Sequence, residues 1–129
     1  MEESVIRTYS PITFAFLGDA VYSLFIREKI VMRANCQPRK LHAKTSEYVS
    51  AKAQAKAVTA LLDEGYLNEE ESDIYRRGRN ANTATMAKNA TPAEYHKATG
   101  FEALLGWLYL MERKDRMYDI MERAYGLNA

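Results

Sequence analysis

Apolar positions recur along this chain at helical spacing, and no stretch shows the sustained alternation of a half-buried strand. The first periodic run opens at Ser10-Pro11, where serine can cap and proline suits the first turn, and it continues to about Met32. Gln37-Pro38 breaks it. A second long helix is expected from about Pro38 to Asp63, with Leu41, Tyr48, Ala51, Ala55, Val58 and Leu62 on its inner face and Gly65 as its stop. Asn68 with Glu71 resembles a capping box for a short third helix ending near Arg77-Gly78, and Thr91-Pro92-Ala93-Glu94 is a clearer one. Ala98 to Glu112 is strongly helical and apolar, and Asp115 to Tyr125 closes the chain with Gly126 as a stop. The pattern predicts an all-α fold without internal repeats or low-complexity segments.

Two of these helices carry an acid where the pattern asks for a core residue. In Phe16-Leu17-Gly18-Asp19-Ala20-Val21, a helical wheel gathers Phe14, Leu17, Val21, Leu24 and Phe25 on one side, and leaves Asp19 with Ala15, Tyr22, Ser23 and Ile26 on the other. Glu102 interrupts Phe101-Glu102-Ala103-Leu104-Leu105-Gly106-Trp107-Leu108 in the same way. Burying an ionised carboxylate alone costs several kcal/mol, so each acid needs a cation, a donor or a metal. Gly18 precedes one acid and Gly106 lies one turn beyond the other; glycine inside a helix costs about 1 kcal/mol relative to alanine, which points to close approach of the two helices there. Two carboxylates meeting in a dry cleft either share a proton or bind a divalent cation, and an oxygen-only site of few ligands suits hydrated Mg²⁺, which activates water and steadies a phosphoryl transition state. Structural ion pairs are the competing reading, Asp19 with Arg27 or Lys29 and Glu102 with Arg113 or Lys97.

Composition narrows the setting. A chain of 129 residues with 47% hydrophobic content makes one compact domain, residues 1–129, without a linker. A single cysteine, Cys36, permits no internal disulfide and gives zinc no second thiol. Met1-Glu2-Glu3 lacks the order of a signal peptide, and no apolar run reaches the roughly 18 residues of a membrane span, so a cytoplasmic, soluble protein without membrane attachment is expected.

Net charge is only +1, but it is segregated. Six Lys or Arg and one acid lie between Arg33 and Lys56, five and one between Arg76 and Lys97, while Asp63, Glu64, Glu69, Glu70, Glu71 and Asp73 form an acidic stretch between them. A basic face for a polyanion is one reading and a solvated helix surface the other. The run from Arg76 to Asn89 is poor in core residues and rich in donors, which suits a loop that holds phosphates through Arg76, Arg79, Asn80 and Lys88 or a plain surface loop. His42, Lys44, Lys52 and Gln54 can add to that surface from the second helix. Few aromatic residues interleave these bases, so contact with a duplex backbone is favoured over stacking on splayed single strands.

The hexapeptide around Asp19 resembles the signature of the ribonuclease III catalytic domain, and Phe101-Glu102-Ala103-Leu104-Leu105-Gly106 resembles that family's second acidic motif. Leu41 to Ser46, Val49 to Ala55 and Arg77 to Ala81 support the likeness, which covers nearly the whole chain. With no double-stranded-RNA-binding domain expected after about residue 125, the resemblance points to the Mini-ribonuclease III branch. It implies an all-α endonuclease-domain bundle, a homodimer, and hydrolysis of double-stranded RNA with Mg²⁺, for which Mn²⁺ can substitute. The associated role is maturation of large-subunit (23S) ribosomal RNA from its precursor. Asp19 and Glu102 match metal-site and catalytic residues. The larger enzymes carry further acids at the places that here hold Ala15 and Thr99; the Mini branch resembles this sequence in having the reduced set. The alternatives are a non-catalytic RNA-binding or ribosome-associated helical dimer, and a purely structural helical dimer.

Overall fold

A computed structural model describes residues 1–81 and 90–128; Lys88 lies outside them. Its elements are α1 (Glu3–Ile6), α2 (Pro11–Arg33), α3 (Pro38–Val49), α4 (Ala51–Asp63), α5 (Glu69–Arg79), α6 (Pro92–Leu110) and α7 (Lys114–Asn128). No strand occurs among the described residues, which bears out the all-α expectation.

The bundle is built around α6. From Ala98 to Leu108 every residue of this helix is buried except Glu102, so this stretch is enclosed on nearly all sides and its one acid marks the opening. Helices α2, α4 and α5 pack around it, and α7 closes the far side with Met117, Ile120, Met121 and Ala124. The capping box at Thr91 forms as the sequence predicts, with Thr91 Oγ1 accepting from the Glu94 amide at 3.1 Å and Glu94 Oε1 accepting from the Thr91 amide at 3.0 Å.

The crossing of α2 over α6 is set by two glycines. A Cβ on Gly18 would stand 1.8 Å from the Glu102 carbonyl oxygen, and one on Gly106 would stand 1.9 Å from that of Phe14. Any side chain at either position drives the two backbones apart.

That contact corrects the wheel. The buried face of α2 is Phe14, Ala15, Gly18, Tyr22, Phe25, Ile26 and Ile30, centred on the glycine and not on the largest apolar residues. Phe16 is left 84% exposed and Leu24 69% exposed. Asp19, one residue from Gly18, sits at the margin of the contact face and is exposed, so it pays no burial cost of the kind the pattern suggests.

The second long helix is two. At Ser50 the backbone turns extended (φ −61°, ψ 154°), ending α3, and the Ser50 hydroxyl accepts from the Ala53 amide at 3.2 Å to start α4. Gly65 ends α4 as expected, with φ +68° and the Tyr66 amide donating to the Leu61 carbonyl. Gly126 does not stop α7, which runs on to Asn128. The short α1 has no counterpart in the sequence-based expectation.

Candidate active site

A cleft of about 480 Å³ opens where α2, α4 and α6 converge beside the end of α3. Ile12, Ala15, Phe16 and Asp19 line it from α2, Val49 from α3, Ala51 and Gln54 from α4, and Tyr95, Ala98, Thr99 and Glu102 from α6. The glycine crossing brings the α2 backbone beside Asp19 onto the turn of α6 that carries Glu102, and both acids line the same cleft. The two acids named from the sequence therefore meet.

Their environments differ. Asp19 is exposed, while the Glu102 carboxyl is set down into the cleft floor. Burial, and then the charge of the nearby Asp19, push the Glu102 carboxyl up to about 8, against the opposing hydrogen bond from the Gln54 amide. Gln54 Nε2 donates to Glu102 Oε2 at 3.2 Å and to the Val49 carbonyl at 2.9 Å. With no cation present, burial favours the protonated form of Glu102.

The structural ion pairs do not form. Lys29 pairs with Glu122 and Arg113 with Glu70, Arg27 donates to Ser23, and Lys97 donates to Thr59. Among the described residues neither Asp19 nor Glu102 has a cationic partner within salt-bridge distance. No group of three or more His, Cys, Asp or Glu side chains converges among them either, so the site offers two carboxylates and no more. Ala15 and Thr99 both line the cleft and are buried, and the Thr99 hydroxyl donates to the Tyr95 carbonyl at 3.0 Å.

The other predicted residues are dispersed. Gln54 is 2% exposed, which corrects its placement on an RNA-facing surface: it lies beneath Glu102, because the break at Ser50 turns this face of α4 inward. His42 and Lys44 are exposed on α3 and border other depressions. Lys52 faces a second groove of about 660 Å³, with Lys56 and Lys97, on the neighbouring face of α4. Arg76 pairs with Asp73, and Arg79 lies over the Tyr75 ring and donates to Asn80 at the end of α5. Tyr95, in the cleft two turns before Glu102, was not singled out from the sequence, since a tyrosine on a helix carries no local signal of function.

Residues 12–113 match the family model of the Ribonuclease III domain, a span that contains both acids and every cleft residue. The chain belongs to the ribonuclease III family. It is 50% identical over 117 residues to the Mini-ribonuclease 3 of Thermoanaerobacter, a match covering 91% of this chain and 81% of that one. It is 46% identical over 110 residues to that of Streptococcus pneumoniae, covering 85% and 86%. A crystal structure of a Fusobacterium nucleatum protein superposes with a TM-score of 0.81 at 31% identity, covering 90% of this chain and 93% of the other. The chain is accordingly an endoribonuclease of Mini-ribonuclease III type that acts on double-stranded RNA, and the non-catalytic readings fall away. No helix among the described residues is long and apolar enough to cross a membrane.

Proposed function

We propose that this ribonuclease cleaves duplex RNA with Mg²⁺ held by Asp19 and Glu102, that it works as a homodimer, and that its substrate is a ribosomal RNA precursor. The carrying observation is that two carboxyls line one cleft with no cationic partner among the described residues, a donor set of oxygens alone whose charge is unbalanced without a cation. This fits a hard, hydrated divalent ion, which Mn²⁺ can replace. Such an ion supplies a Lewis acid that lowers the pKa of water and neutralises charge on the phosphate. Glu102 must give up its proton to hold it, and Asp19, already at the solvent edge, presents its carboxylate towards the incoming backbone.

The exposed stripe of α2 supports the dimer: Phe16, Leu24, Val31 and Met32 are each more than half exposed, an apolar face that a second copy would cover. Lys52, with Lys56 and Lys97 in the adjoining groove, and His42, Lys44, Arg76, Arg79, Asn80 and Lys88 are the proposed contacts to the RNA backbone. Incubating duplex RNA with the protein in Mg²⁺ and in EDTA tests the reading. Cleavage in Mg²⁺ alone is expected, and equal cleavage in EDTA would sink it.

A further inference from the structure

Among the described residues, Gln54 is the buried cleft side chain that hydrogen-bonds an acid. It is 2% exposed, and its amide nitrogen bridges the Val49 carbonyl and the Glu102 carboxyl. Its Oε1 is buried and has no hydrogen-bond partner. A bare buried acceptor costs about 1–3 kcal/mol, so a glutamine that merely capped the end of α3 would be a poor choice there.

The orientation of the amide is dictated by its neighbours. The Val49 carbonyl can only accept, so it must be met by the nitrogen and not by the oxygen of the Gln54 amide. With the nitrogen so fixed, Glu102 receives a donor, which favours its carboxylate over its acid form, and Oε1 is committed to the opposite side of the amide. The end of α3 thus sets the orientation of the acid on α6 through a rigid, planar link.

We infer that Gln54 is a positioning residue of the nuclease site: its nitrogen, anchored on the Val49 carbonyl, holds the Glu102 carboxylate in the orientation that receives the ion. This rests on the two-carboxylate reading above. Groups that orient metal-binding side chains typically change metal affinity or activity by 10–100-fold when removed.

The test uses the whole 129-residue chain. Gln54→Met keeps the volume and removes both polar atoms; Gln54→Asn keeps an amide too short to bridge Val49 and Glu102 and serves where the methionine variant does not fold. Mg²⁺ affinity of the free protein is read by calorimetry, and kcat and KM on duplex RNA are read separately, alongside Glu102→Gln. The expected result is a tenfold or greater weakening of Mg²⁺ binding and a comparable loss of kcat, with KM within about twofold of wild type. A folded variant with wild-type Mg²⁺ affinity and kcat, changed only in melting temperature, would reduce Gln54 to a helix cap and overturn the inference. Wild-type cleavage by Glu102→Gln would instead overturn the site on which it rests.

Discussion

Gly18 and Gly106 face each other across the α2–α6 crossing, each leaving the space that the other helix's backbone fills: a Cβ on Gly18 would come within 3.0 Å of the Gly106 amide nitrogen, and one on Gly106 within 3.1 Å of that of Gly18. The same contact brings Asp19 to Glu102, so one packing feature fixes both the fold and the site.

Alanine at either glycine should therefore cost more than about 3 kcal/mol, because backbone cannot give way as a flexible side chain can. The protein would be unfolded, or folded with the acids displaced and cleavage lost. Gly126 is the control. It lies within α7 with nothing near its missing Cβ, and Gly126→Ala should leave stability unchanged or raise it by up to about 1 kcal/mol. Thermal melts of the three variants check this, and a Gly18→Ala protein as stable as wild type would refute the crossing.

Helices α4 and α6 end in the same hydrogen-bonded turn, but where α4 has Gly65, α6 has Glu112 at φ 59°. The Glu112 amide donates to the Tyr109 carbonyl and that of Arg113 to Leu108, so the turn forms at the expense of a left-handed glutamate. Glu112→Gly should stabilise the fold by about 0.5–1 kcal/mol, read as a raised urea midpoint with unchanged slope.

Much of this was legible in the residues. Capping signals at Ser10, Asn68 and Thr91 predicted helix starts correctly because the cap is a local interaction. The meeting of Asp19 and Glu102 was legible through the glycines beside them, since glycine inside a helix has few reasons to be there other than close approach. The orientation of α2 was not, because a wheel weighted by hydrophobicity points at Leu17 and Leu24, whereas the buried face is decided by the smallest residue, Gly18. The Ser50 break was also hidden: the alanine-rich sequence around it propagates a helix equally well, so the serine cap on the Ala53 amide does not stand out as a start. Gln54 could not be placed without that break.

Glu102 should also shape stability against pH in the absence of divalent ions. Burial, with Asp19 nearby, raises its carboxyl from an ordinary 4.5 to about 8, so the fold prefers the protonated form. That contribution is fully present below about pH 4.5 and is lost as pH rises to 8. Glu102→Gln abolishes the loss and should be the more stable protein in EDTA, by an amount that grows from pH 5 to pH 8 and reaches on the order of 3 kcal/mol. A difference in melting temperature that does not vary with pH would contradict the raised carboxyl.

Binding of uncleaved duplex should weaken as salt rises, since each neutralised phosphate releases counterions. Lys52→Ala and Arg79→Ala should each lower the slope of log affinity against log salt by about one, equally for unrelated sequences. Fluorescence anisotropy at several salt concentrations measures it; slopes identical to wild type would remove these two residues from the interface.

The most direct measurement separates binding from chemistry in the two acids. Asp19→Asn and Glu102→Gln each remove one charge and little volume, so in a single-turnover assay with duplex RNA and Mg²⁺ both should lose cleavage by at least about a hundredfold while binding the duplex nearly as wild type does. Either variant cleaving at the wild-type rate would contradict the assignment of the site to Asp19 and Glu102.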